Sequence, residues 1–135
     1  MLKKSLFFIV VLLLSTTILH AQNNKFTLRG EIKGMTSGHL LFGYTDNNEQ
    51  YVQKNVPVKN GKFQLEGMIS EPTNMSLRLD STVRYMDDPN LTDFWIEASD
   101  MQLEIVVGKF KEFKLSGSKT NEEEQEQNRQ QAQIG

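Results

Sequence analysis

Cysteine is absent from this 135-residue chain. Without a thiol the sequence cannot carry out thiol–disulfide exchange, and it cannot hold a metal through thiolate. No disulfide can brace it either, so a small domain must rely on its core or on a partner. Histidine is nearly absent, with two residues, and one of these, His20, falls in an N-terminal leader. That leaves His39 at the start of a strand after a turn, where a lone histidine reads as an ordinary surface residue. A metal site built on it would need several converging carboxylates. Basic residues are not in excess: 15 Lys and Arg face 17 Asp and Glu, a formal net charge of −2. The basic patch of a nucleic-acid partner is therefore missing. The motifs G-x-S-x-G, H-E-x-x-H and G-x-x-x-x-G-K-[ST] do not occur.

What is present begins with an address. Lys3 and Lys4 precede an apolar run from Leu6 to Leu14, and the stretch Ser15 to Ala21 closes on Leu19-His20-Ala21. A basic start, a short apolar run and a small residue before a polar stretch describe a secretory signal peptide cleaved after Ala21. The alternative is a retained membrane anchor. A spanning helix needs about 20 mainly apolar residues, however, and Ser15, Thr16 and Thr17 interrupt this one. No cysteine stands at the cleavage point, which excludes a lipid-anchored lipoprotein. The expected location is the periplasm or cell envelope, with no membrane span once the leader is removed.

The mature chain is organised around Val56 to Gly67, V-P-V-K-N-G-K-F-Q-L-E-G. Asn60-Gly61 is the dipeptide that most readily takes two successive positive-φ residues, as a type I′ turn requires. Val56 and Val58 alternate before it, Phe63 and Leu65 after it, so Tyr51 to Lys59 and Lys62 to Met68 read as hairpin strands. Pro57 removes one ladder donor and points to an edge or a bulge. Lys25 to Lys33 alternates in the same way, with Phe26, Leu28, Gly30 and Ile32 on one face; Leu40, Phe42 and Tyr44 line a strand from His39 to Thr45. Met75, Leu77 and Leu79 mark a fifth strand. Thr92 to Ala98 marks a sixth, Leu103 to Val107 a seventh, and Phe113 with Leu115 an eighth. Seven or eight short strands, with turn signals roughly every 8 to 12 residues, predict an all-β antiparallel sandwich or open barrel.

After Ser116-Gly117-Ser118 the character changes. Thr120 or Asn121 is placed to cap a helix whose first turn holds Glu122, Glu123 and Glu124, where the helix dipole favours negative charge. Glu122 to Gln133 has no apolar stripe to bury, which predicts a linker-like helix or a fraying tail. The expected organisation is a signal peptide at 1–21, a β-sandwich-like domain at 22–118 and a polar helical linker or tail at 119–135.

Candidate chemistry is sparse. Asp87, Asp88, Asn90 and Asp93 form the nearest thing to an oxygen cluster, but they lack the spacing of a calcium loop and read as a solvated acidic loop. Glu31, Glu66, Glu97 and Glu104 sit at outward strand positions, where solvated charges are expected rather than a glycosidase pair. Trp95 faces away from Phe94 and Ile96. Such a tryptophan marks a contact surface, or covers a second apolar layer such as the returning loop Tyr85 to Leu91, with Tyr85 and Met86 in the same patch. No catalytic, cofactor or metal residue is assigned.

Four stretches carry a family resemblance. These are Phe26-Thr27-Leu28-Arg29-Gly30-Glu31-Ile32-Lys33-Gly34 with Gly38-His39-Leu40-Leu41-Phe42, Asn60 to Gly67 followed by Pro72, Phe94-Trp95-Ile96-Glu97, and Leu115-Ser116-Gly117-Ser118 with its acidic helix start. In order and spacing they resemble the domain of unknown function 4369. That family is the N-terminal module of TlpA-like or AhpC/TSA-type thiol–disulfide proteins in the Gram-negative envelope. The resemblance implies a β-sandwich-like module and an envelope address. In fuller proteins of this type the L-S-G-S segment leads through a helix into a thioredoxin domain bearing C-x-x-C. With no cysteine here, that redox chemistry is carried over to no residue.

The expected role is thus an exported, non-catalytic β-domain that binds or positions something, with a thioredoxin-like domain or envelope protein as partner. The rivals are a free-standing envelope protein that binds a ligand or glycan and, last, a carboxylate-based hydrolase.

Overall fold

The computed structural model describes residues 23–79 and 88–134. The expected signal peptide at 1–21 lies outside these residues, as do Asp87, Tyr85 and Met86. Alternation sets the elements: β1 (Lys25–Lys33), β2 (Ser37–Thr45), β3 (Tyr51–Lys59), β4 (Lys62–Met68), β5 (Thr73–Leu79), β6 (Leu91–Ile96), β7 (Asp100–Val106) and β8 (Lys114–Ser116). A single 3-10 turn, Phe110–Glu112, precedes β8, and one helix, α1 (Lys119–Ile134), follows it. The eight strands form one continuous sheet in the order β6-β5-β2-β3-β4-β1-β7-β8, curled into a half-barrel. Of the two architectures expected, the open barrel is the one that forms.

One pairing departs from an all-antiparallel sheet. β1 runs parallel to β7, with Leu28 opposite Met101 and Ile32 opposite Ile105. Alternation tells a strand which face is buried but not which strand lies beside it, so this pair left no local mark.

The Asn60-Gly61 turn forms as expected, with φ of 52° and 71°. The ladder it should start does not continue. β3 and β4 share only the Lys59–Lys62 pair, after which β3 follows β2 and β4 follows β1. This splay is where the sheet folds over. Rings from strands that are not neighbours then meet inside: Phe42 of β2 and Phe63 of β4 lie 5.8 Å apart, and Phe26 of β1 meets Tyr44 of β2 edge-on at 5.3 Å. Pro57 fits the splay, because the neighbour its missing N–H would have served has moved away. Gly61→Val should cost about 1–3 kcal/mol, since a β-branched residue at φ of 71° is strained. An unchanged melting temperature would contradict this turn geometry.

Two glycines sit at inward positions and act as notches. A Cβ on Gly30 would run into the Phe63 ring, and one on Gly67 would meet Phe26 Cε1 at 2.7 Å. Lys54 is the exception to the apolar face of β3. It stands opposite Phe42, yet its Nζ donates to the Glu66 carbonyl at 2.6 Å. A lysine stem can lie along apolar surface while its head finds a polar partner. Here the head spans the gap that the missing ladder leaves.

Candidate functional site

The half-barrel would have two open edges, β6 and β8, and the chain closes them with its own C-terminal segment. Ser118 is fully buried; its hydroxyl donates to the Trp95 carbonyl at 2.6 Å and accepts from Asn121 N–H at 3.3 Å. Ser118 is thus the N-cap of α1, not Thr120 or Asn121 as the sequence suggested. Two residues later the Thr120 N–H and hydroxyl both donate to Glu97 Oε1 at 2.6 Å. Ser99 Oγ donates to the Gly117 carbonyl at 2.7 Å, and the Phe94 and Phe113 rings meet at a tilt of 48° with centroids 5.4 Å apart. Upstream, Lys111 Nζ reaches the carbonyls of Asp88 and Leu91. The start of α1 is therefore clamped to β6, while its residues from Glu122 to Gln133 are exposed on every side.

Glu97 differs from the other outward carboxylates. The Thr120 hydroxyl holds its pKa below the ordinary value of 4.5; partial burial opposes this, and the Thr120 and Lys119 N–H groups and the Lys119 charge add to the lowering. A lowered native pKa means the folded state binds fewer protons than the unfolded one. The stabilisation is present above about pH 4.5 and disappears as pH falls through the lower native value. Glu97→Gln should therefore lose more stability at pH 7 than near pH 3. Urea titrations at both values check this, and an equal loss at both would contradict the linkage.

Of the remaining expected residues, Glu31 and Glu104 are brought together beside one surface depression, and the others are dispersed. His39 is exposed, opposite Pro57. Asp88 Oδ1 accepts from Asn90 N–H, Asn90 Oδ1 accepts from Gly108 N–H at 2.5 Å, and Asp93 points outward on β6. Asp88 and Asn90 are spent on loop geometry, and among the described residues no three His, Cys, Asp or Glu side chains are grouped for a metal. Glu31 and Glu104 are register neighbours on the outer face, flanked by Lys62 on β4 and Lys114 on β8. The row sets two opposite-charge pairs, which favour the sheet, on either side of one like-charge pair, which does not. Glu66 lies apart, 3.6 Å from Lys25 Nζ. Trp95 is half-buried on the outer face of β6 beside Asn74.

Two depressions mark the outer surface. One, of about 630 Å³, opens where β3 and β4 part, between Arg29, Pro57, Lys59 and Gln64. The other, of about 400 Å³, lies over Gly43 between Tyr51, Gln53, Ser76 and Arg78. Neither was anticipated, although a glycine inside a strand such as Gly43 signals close approach of another group. Among the described residues no helix is long and apolar enough to cross a membrane.

Comparison with known proteins finds no match among curated proteins and none among solved structures. A family profile does match, over residues 26–124, a span that takes in the half-barrel and the whole clamp from Trp95 to Asn121. The chain belongs to the family described as Domain of unknown function (DUF4369).

Proposed function

We propose that this domain is an exported, non-catalytic module of the cell envelope that positions a thioredoxin-like domain or another envelope protein by means of its C-terminal helix. The observation that carries this reading is the contrast within α1. Its first turn is fixed to the sheet by Ser118, Thr120 and Glu97, while the rest has no described tertiary partner. An all-polar helix gains little from packing, so an anchored start serves direction more than stability. At a rise of about 1.5 Å per residue, α1 reaches about 24 Å from the clamp.

The absence of cysteine makes the test direct. Spin labels on Gln64→Cys and Gln130→Cys should give one narrow distance distribution, which broadens in Ser118→Ala. A broad distribution with the clamp intact would refute a positioning role. Adding the protein to an envelope thioredoxin-like protein, with no change in binding or reduction rate, would refute that partner.

A further inference from the structure

The depression over Gly43 brings together Tyr51, Gln53 and Arg78 with Ser76, whose hydroxyl donates to the Gly43 carbonyl at 3.4 Å. Tyr51 is opposite Thr45, yet its hydroxyl lies over Gly43, so the ring leans along the sheet instead of standing off it. Gly43 makes this possible: a Cβ there would collide with the Tyr51 hydroxyl and stand 2.8 Å from Ser76 Oγ. Even so, Tyr51 is 68% exposed, the most exposed large hydrophobic residue among those described. The ring is a flat platform whose outer face meets solvent.

Polar groups rim this platform. Gln53 and Ser76 are the cross-strand neighbours of Gly43 on its two sides. Arg78 is half-buried, with Leu41 and Leu91 as register neighbours and no hydrogen bond or ion pair among the described residues. Among the described residues no anion balances this half-buried arginine. Its planar fork suits a carboxylate held by two bonds.

We propose that this depression binds a carboxylate-bearing sugar, its pyranose C–H face on the Tyr51 ring, its carboxylate on Arg78 and its hydroxyls on Gln53 and Ser76. The volume, about 400 Å³, is near the small end of ligand sites and suits a single ring or a chain terminus. A neutral sugar would use the platform and leave Arg78 unpaired. An acidic side chain such as glutamate would pair Arg78 and leave the ring unused. An acidic sugar engages both.

Titrating the isotope-labelled protein with methyl β-D-glucuronide, methyl β-D-glucoside and N-acetylglutamate amide, followed by amide NMR shifts, tests this. The glucuronide should shift Leu41 to Gly43, Tyr51 to Gln53 and Ser76 to Arg78. It should also bind about tenfold more tightly than either other probe, the worth of one charge-assisted pair. Arg78→Gln should bring the glucuronide down to the level of the glucoside. Tyr51→Ala, which removes the platform, should weaken the glucuronide and the glucoside alike. Equal binding of glucoside and glucuronide, equal binding of the glutamate probe, or shifts confined to other residues would each overturn the proposal.

Discussion

Phe63→Ala should lower the unfolding free energy by about 3–5 kcal/mol, a large part of the 5–15 kcal/mol available to a domain of this kind. Phe63 fills the notch over Gly30 on its own face and meets Phe42 from the far side of the curl. Removing the ring opens a cavity against both halves of the sheet at once. The reverse error should be comparably damaging. Gly30→Val would drive a branched side chain into the same ring, and neither backbone can retreat, because Gly30 and Phe63 are ladder partners. At about 4–8 °C per kcal/mol, either change should lower Tm by more than 10 °C. The two sites should also be coupled. Gly30→Ala should cost clearly less in a Phe63→Leu background than in wild type, and strict additivity would show that the ring and the notch do not touch.

Gly117→Val is the second large effect. Gly117 has φ of 87°, and a Cβ there would press on the Asp100 carbonyl and stand 3.2 Å from Met101 Cα. Left-handed strain of about 1–3 kcal/mol adds to overpacking of similar size. Gly108→Val is the natural control, since Gly108 has φ of 86° but nothing within 4 Å of the added atom. The difference between the two variants isolates the close approach of the clamp to β7. In hydrogen exchange, Gly117→Val should expose the Thr120 and Glu122 amides while the β1–β4 ladder stays protected. If both variants lose the same stability, the segment is not seated as described.

The strands were legible because the evidence for them is local. β1, β3 and β4 run between the residues at which alternation starts and stops, and Phe26, Leu28, Val56 and Leu65 are buried as their spacing required. The turn at Asn60-Gly61 was equally local. What failed to show was partnership over distance. Nothing near Thr27 announces Asp100, and near Asn60 only Pro57, with its missing ladder donor, hints that the two strands will part. Lys54 occupies an apolar position, and only the Glu66 carbonyl across the gap explains it. The clamp was half visible. An acidic first turn predicted the helix, but Ser118 outcompeted Thr120 and Asn121 as cap because the Trp95 carbonyl holds its hydroxyl in place. Glu97 read as one more solvated charge for the same reason, its partner being far along the chain. The Gly43 depression was missed because attention falls on Trp95, whereas the exposed ring is Tyr51.

The parallel β1–β7 pair also sets an order of events. β1 is bordered by β4 on one side and by β7 on the other. Joining Thr27 to Asp100 closes a long loop, whose entropy must be met before any contact within it rewards the chain. The local ladders of β2 with β3 and of β5 with β6 can form early. The first strand made cannot be enclosed until one of the last arrives. Folding of this domain is therefore gated by its C-terminal third, and a chain emerging from its N-terminus first waits, open, for β7.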